Sequence, residues 1–317
     1  MRPEVRERIR ALGRELTPEL IEGTHRLFAE LHARAGNGED GGGTAGSRVT
    51  RDLRYGPDER NRLDLWLPAA AERGARANGG GERTAGGGRP ALLFVHGGGF
   101  VRGDKCIPGL PFYDNIGRWA AARGFIGATM TYRLAPKHAW PAGAEDVGRA
   151  VEWLAEHVAA HGGDPGKIFA MGQSAGAVHV ATYLAFPRFQ GSAGARLAGA
   201  LLTSGLYDLD RADRNEFQKA YFGSDESRYA ERSSLTGLVR TNVPILASVS
   251  EFDADDFYRQ AALFVSEFAN TRKRYPRMLY LTGHNHLSSV HQIGLPEDSL
   301  GPEVAAFIEA VSTASAE

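Results

Sequence analysis

From residue 91 onward, short apolar runs alternate with longer segments whose apolar residues recur every three or four positions. Ala91-Leu92-Leu93-Phe94-Val95 is unbroken by polar residues and ends in glycines, as a strand buried on both faces does. Similar runs predict strands over 125–132, 167–172, 197–204, 243–250 and 277–281. Between them, helical spacing predicts helices over 112–123, 142–161, 175–185, 255–270 and 303–311; Val147, Val151, Leu154 and Val158 share one face. Strands alternating with helices of these lengths predict a mostly parallel sheet with helices on both faces. The interval 205–242 breaks the rhythm. It reads as an insertion over the C-terminal strand ends, where open α/β sheets bind ligands.

Upstream the pattern differs. Leu16, Leu20, Leu27 and Leu31 recur near helical spacing within 1–35, and Thr17-Pro18 marks a helix start. Two strands follow, over 48–55 and 62–67, joined through Gly56-Pro57-Asp58-Glu59.

Composition changes this picture in one respect. Glycine contributes 40 of 317 residues, and thirteen of those crowd two stretches, Gly36 to Gly46 and Gly74 to Gly88. Without a Gly-X-Y period they exclude collagen and read as mobile surface linkers inside a globular chain. The formal charge of −1 offers no electrostatic footprint for nucleic acid or an anionic membrane. Cys106 is the single cysteine, so no intrachain disulfide and no cysteine zinc site forms, which fits a reducing, cytoplasmic compartment. The charged start, Met1 to Arg8, lacks the apolar core of a signal peptide, and no apolar run is long enough for stable membrane insertion. Ten histidines include no His-Glu-x-x-His, and neither a metal nor a cofactor is expected.

Gly172-Gln173-Ser174-Ala175-Gly176 has the Gly-x-Ser-x-Gly form between a predicted strand and a predicted helix. In a chain this rich in glycine the pattern arises by chance about 0.25 times, so its strand–turn–helix context is what gives it weight. There the serine is thrust from a sharp elbow at a helix N-terminus, as a nucleophile needs. His96-Gly97-Gly98-Gly99 follows the strand ending at Val95; chance supplies that tetrapeptide about 0.02 times. Such a loop lets backbone N–H groups approach a developing oxyanion.

A serine hydroxyl also needs a histidine to take its proton and a carboxylate to hold that histidine. Glu251, Asp253, Asp255 and Asp256 follow the strand over 243–250. Asp255 or Asp256 suits a helix cap and Glu251 a solvated strand end, which leaves Asp253 in mid-loop as the acid. His284, His286 and His291 follow the strand over 277–281, where the base is required. His96 and His179 read as structural, His96 by shaping its loop. Trp140, Tyr207, Tyr221 and Phe222 suit either a pocket wall or ordinary packing.

Together these residues resemble the α/β-hydrolase fold-3 family, the hormone-sensitive-lipase-like serine carboxylesterases. Tyr132-Arg133-Leu134-Ala135-Pro136, Trp140-Pro141-Ala142, Asp146 and Gly162-Gly163-Asp164-Pro165 add to the likeness, which covers roughly residues 90–310. The resemblance implies an α/β-hydrolase fold with a helical cap and hydrolysis of short-chain acyl esters through an acyl-enzyme on Ser174. It implies oxyanion N–H groups from Gly98, Gly99 and Ala175. Its usual Gly-x-x-His spacing, met by Gly283 and His286, implies His286 as the base. The implied organisation is 1–45 as N-terminal helices contributing to the cap, 46–204 with 243–317 as the catalytic domain, and 205–242 as a cap insertion. The implied partner is a small-molecule ester, and an edge strand offers a surface for a homodimer by analogy. Two departures stand out: the acidic loop reads Asp253-Ala254-Asp255 where the family has Asp-Pro-Leu, and Gln173 stands where the family has Asp. Ser174-Ala175-Gly176-Ala177 also resembles arylformamidases, which keeps a formamidase or amidase using the same triad as an alternative. A non-catalytic binding protein on this fold is a third reading, disfavoured by the intact Ser, Asp and His.

Overall fold

A computed structural model describes residues 1–36, 47–69 and 87–314. Most of the two glycine-crowded stretches read as linkers lies outside the described residues. Gly88 does not: it lies so close to the Gly163 backbone that a Cβ would come within 2.7 Å of it.

The sheet comprises β1 (Ser47–Arg54), β2 (Arg62–Pro68), β3 (Arg89–Val95), β4 (Ile126–Met130), β5 (Gly163–Gln173), β6 (Gly199–Thr203), β7 (Ile245–Phe252) and β8 (Arg277–Asn285). Their order is β1-β2-β4-β3-β5-β6-β7-β8. β2 runs antiparallel to both β1 and β4, and the remaining pairs are parallel. The mostly parallel sheet expected from the alternating runs is therefore present, flanked by an antiparallel edge.

Alternate side chains along the strands enter two separate cores. Leu93 and Val95 of β3 and Ile168 and Ala170 of β5 join one cluster with Val147, Val151, Val180 and Phe264. Leu92, Phe94, Phe169 and Met171 point the other way, among Val5, Ile9, Phe28, Trp119 and Phe307. A strand with apolar residues on both faces reads as a continuous run, and the run at 91–95 has that origin. The helices covering the first face include α4 (Ala142–His157), α5 (Ala175–Ala185) and α9 (Asp255–Arg272). The second face carries α1 (Pro3–Ala11), α2 (Pro18–Arg34), α3 (Asp114–Ala122) and α11 (Gly301–Ala314). Thr17 caps α2 as its sequence suggests, its Oγ1 accepting from the Leu20 N–H at 3.2 Å. The 205–242 interval holds α6 (Glu216–Phe222), α7 (Tyr229–Arg232) and α8 (Leu235–Leu238); a short helix, α10 (Ser288–His291), follows β8.

Three local expectations change. β8 continues past Leu281 to Asn285, because its polar end is satisfied internally. His284 bonds Ser288 and Ser299 at 3.0 and 2.7 Å, and Asn285 Nδ2 donates to Thr24 Oγ1 at 2.8 Å. Glu251 is no solvated strand end: it lies inside β7 and accepts from Arg6 and from the Gly283 N–H, both at 2.6 Å. Neither Asp255 nor Asp256 caps α9. Ala254 is its N-cap, and the two carboxylates lie in the first turn, where the helix dipole favours them.

Candidate active site

Five parallel strands end side by side, and a polar residue follows the last position of each. His96 follows β3, Ser174 follows β5, Ser204 follows β6, Asp253 follows β7 and His286 follows β8. Sheet register makes them neighbours: Val95 pairs with Gly172, Gln173 with Thr203, and Phe252 with Asn285.

Ser174 has φ 54° and ψ −121° and is the N-cap of α5. A non-glycine residue there is strained and persists only when its surroundings impose it. They do so through close backbone approach. A Cβ on Gly172 would strike the Gly176 carbonyl, and one on Gly176 would strike the Val95 carbonyl. Both glycines of the motif are therefore required by the crossing of β5, α5 and β3. The Ser174 N–H donates to the Thr203 carbonyl at 2.9 Å, which ties the elbow to β6.

The loop after β3 is shaped in the same way. Gly98 has φ +124° and a Cβ on it would overlap the Arg102 carbonyl. His96 is fully buried and stacks on Tyr132 at 4.3 Å, and its Nδ1 bonds the Gly97 carbonyl at 2.6 Å. The Tyr132 hydroxyl donates to the His96 carbonyl at 2.9 Å. Burial pushes the His96 imidazole down to about 4, so it is neutral at ordinary pH and acts as scaffold.

Nδ1 of His286 donates to Asp253 Oδ1 at 2.7 Å. The second carboxylate oxygen accepts from Ser204 Oγ at 2.6 Å and from the Ser250 N–H at 2.7 Å. Both Asp253 and His286 are buried. Phe257 packs on the imidazole, ring centroids 4.2 Å apart. His286 Nε2 has no hydrogen-bond partner among the described residues. Arg14 Nε donates to the Asp253 carbonyl at 2.8 Å, so the segment joining α1 and α2 braces the loop that carries Asp253.

The other two histidines of this region serve elsewhere. His284 is pushed down to about 4 by burial and bonded at both nitrogens to serines. His291 stacks on Phe112 with centroids 4.0 Å apart, and its carbonyl bonds His32 Nε2 at 2.8 Å. His179 packs against Tyr132 and Tyr221, as its place on α5 suggested.

Ser174, His286, Gly98, Gly99 and Ala175 line one cavity of about 660 Å³. Asp253 lies behind His286, outside its lining. The walls also take Leu16, Ile21 and His25 from the N-terminal segment and Asn215, Phe217 and Gln218 from the 205–242 interval. Leu16 and Phe217 are 40% and 42% exposed, unusual for large apolar side chains in this chain. Phe217 lies over Gly99, within 3.3 Å of where a Cβ would be. Tyr221 and Phe222 stand behind this wall in a small core with Phe100, where Tyr221 stacks on Phe100 at 4.7 Å. Trp140 packs against Phe186 and Phe189. Among the described residues, no group of three or more His, Cys, Asp or Glu is placed to hold a metal ion. No described helix is long and apolar enough to cross a membrane.

A parallel sheet with a strained serine elbow on its central strand defines an α/β-hydrolase architecture. The α/β-hydrolase fold family matches residues 92–278, well over half of the chain, and the chain belongs to that family. Among curated proteins, it is 33% identical over 173 residues to "Esterase LipQ" of Mycobacterium tuberculosis, a match covering 52% of this chain and 37% of that protein. It is 36% identical over 135 residues to "Probable isoprenylcysteine alpha-carbonyl methylesterase ICMEL1" of Oryza sativa subsp. japonica, covering 43% of this chain and 27% of the relative. The chain thus spans about a quarter to a third of the length of such relatives. Among solved structures, the esterase of Pyrobaculum calidifontis superposes with TM-score 0.66 at 21% identity, covering 98% of this chain and 99% of that one. Esterase B of Lactobacillus rhamnosis, inhibited by a tributyrin phosphonate, superposes with TM-score 0.70 at 16% identity, covering 99% and 98%. At these identities the superpositions establish the shared fold.

Proposed function

We propose that the chain is a serine hydrolase of carboxylic esters, with Ser174 as nucleophile, His286 as base and Asp253 as the acid that orients it. The observation that carries this reading is the state of His286. Its Nδ1–H is committed to Asp253, which fixes the tautomer and leaves Nε2 as a buried lone pair without a partner among the described residues, on a side chain that lines the same cavity as Ser174.

Ser174 Oγ attacks the acyl carbon as its proton passes to His286 Nε2. The imidazolium is stabilised by the buried Asp253 carboxylate. The carbonyl oxygen becomes an oxyanion and accepts from the N–H groups of Gly98, Gly99 and Ala175. Ala175 is the first residue of α5, where backbone N–H groups lack helical partners and the dipole favours negative charge. Collapse of the tetrahedral intermediate breaks the ester bond, and His286 Nε2–H protonates the departing alcohol. Water, deprotonated by His286, then attacks the acyl-enzyme; the acyl–Oγ bond breaks, His286 returns the proton to Ser174 Oγ, and the carboxylic acid leaves.

The relatives named as esterases support this reading. The substrate is a small ester, with a short acyl chain as the family resemblance implies, and its apolar parts lie against Leu16, Val178 and Phe217. In this reading residues 1–45, of which 37–45 lie outside the described residues, and 205–242 act together as a cap, a role supported by the cavity wall formed from within residues 15–25 and 206–218. A cytoplasmic setting is part of the same proposal, supported by the single thiol Cys106. A panel of p-nitrophenyl esters from two to about twelve acyl carbons, with N-formylkynurenine alongside, tests the substrate class. Ester turnover with a short-acyl optimum supports it; turnover of the formamide alone overturns it.

A further inference from the structure

Gln173 departs from the acid that the family resemblance leads one to expect ahead of the nucleophile, and its side chain spans the site. It is fully buried at the end of β5. Its Nε2 donates to the backbone carbonyl of His286 at 2.9 Å. Its Oε1 packs so tightly against Gly97 that a Cβ there would run into it, and that oxygen has no hydrogen-bond partner among the described residues. One planar amide therefore touches the base loop on one side and the oxyanion loop on the other. Its own backbone carries Ser174.

We propose that Gln173 is a positioning residue for the ester hydrolysis, its amide setting the separation of the His286 loop, the Gly97–Gly99 loop and Ser174. The proposal rests on the serine-hydrolase reading. The side chain of His286 is oriented by Asp253, and the sheet pairing of Asn285 with Phe252 holds the residue before it, while the Gln173 amide is what bonds the His286 carbonyl itself. Donation from Gln173 holds that backbone against the strand that bears the nucleophile. Displacements of about 1 Å between reacting groups can cost about 100-fold in rate, so a single such anchor is kinetically visible. Gly97 is part of the same device, because only a residue without a side chain leaves room for the Gln173 amide.

The amide must donate, which distinguishes this role from space filling. An ionised carboxylate of the same length would face the His286 carbonyl with no proton to give. The segments around this position carry His96, Arg102 and Asp104 after β3, Asp253, Asp255 and Asp256 after β7, and His286 after β8, and the Tyr132 hydroxyl donates to the Gly97 carbonyl at 3.3 Å. Burial raises a carboxyl pKa, so Gln173→Glu regains a donor only when protonated, at the acid end of the accessible range. Gln173→Met keeps the volume and removes the donor at every pH.

The test is steady-state kinetics of both variants on p-nitrophenyl butyrate between pH 5 and 9, with thermal melts and fluorophosphonate labelling of wild type (about pH 7). The proposal expects Gln173→Met to lose about 10- to 100-fold in kcat with KM within about twofold of wild type. It expects Gln173→Glu to show a relative activity that declines as pH rises, a limb wild type lacks. If Gln173→Met does not fold, the pH profile of Gln173→Glu decides alone. Wild-type kcat and pH profile in either folded variant overturn the proposal, as does a rate loss explained by raised KM. Failure of fluorophosphonate to label wild-type Ser174 overturns instead the reading on which the proposal rests.

Discussion

Asp253 Oδ1 lies 2.7 Å from Nδ1 of His286, although 33 residues separate them in the chain. Their meeting follows from the sheet: β7 and β8 are parallel neighbours, Phe252 pairs with Asn285, and the two residues are the next in line on each strand. The other carboxylate oxygen is held by Ser204 and the Ser250 N–H, which leaves Oδ1 for the imidazole. A buried carboxylate bonded in this way keeps the ring from turning and stabilises it when charged.

Replacing Asp253 by Asn removes the charge and presents the wrong donor to Nδ1. We expect kcat to fall on the order of 10³–10⁴-fold with the fold retained. Ser204→Ala removes one of the bonds to the carboxylate and is expected to cost about 10- to 100-fold, in keeping with a charge-assisted hydrogen bond. Steady-state kinetics with circular dichroism on both variants check the order of these losses. Equal effects, or none, would contradict the arrangement.

Phe217 is a half-exposed apolar side chain over Gly99, and Phe217→Ala should leave the melting temperature nearly unchanged. The expected effect is on binding. Losing one aromatic face costs about 1–2 kcal/mol, a rise in KM of about 5- to 30-fold for esters long enough to reach it. Acetate esters should be affected less than hexanoate esters, and the ratio of their KM changes is the quantity to measure.

Acid should weaken the fold through its buried neutral histidines. Burial holds His96 and His284 down to about 4 and His179 to about 3, below the ordinary value of 6.5. Above pH 6.5 the imidazoles are neutral in both folded and unfolded chains, and stability is at its full value. Between 6.5 and about 4 the unfolded chain binds protons that the folded chain refuses, so stability falls with pH. Melting temperature measured from pH 7.5 to 4.5 should decline through that window. His284→Gln, which keeps polar contacts to serine without titrating, should flatten the decline.

The fold was legible wherever both sheet faces are apolar. The run 91–95 and the helix 175–185 could be read directly, because burial alone dictates their composition. Asn285 and His284 belong to a strand whose polar end is paid for by Thr24, Ser288 and Ser299, which no local pattern displays. Glu251 carries no local signal for the same reason, its partner Arg6 lying at the opposite end of the chain. Around the site, the elbow motif marks Ser174, while only the Gly283-x-x-His286 spacing of the family separates His286 from His284 and His291. Ser204 and Arg14 carried no signal in the sequence. Arg14 reaches the Asp253 carbonyl across 239 residues, and only the packing of α1 and α2 on the sheet brings it there. The role of Gln173 was equally hidden, though its departure from the family residue was visible and pointed to the position.

The central claim is that Ser174 is the nucleophile. Intact-protein mass spectrometry after treatment with a fluorophosphonate, combined with turnover of p-nitrophenyl butyrate, tests it most directly. The account predicts a single adduct mapping to the peptide that contains Ser174, with activity lost in step with labelling. It also predicts that Ser174→Ala takes no adduct and loses at least about 10³-fold in kcat while keeping its melting temperature. A Ser174→Ala protein that retains most of its ester turnover, or an adduct on another residue, would contradict it.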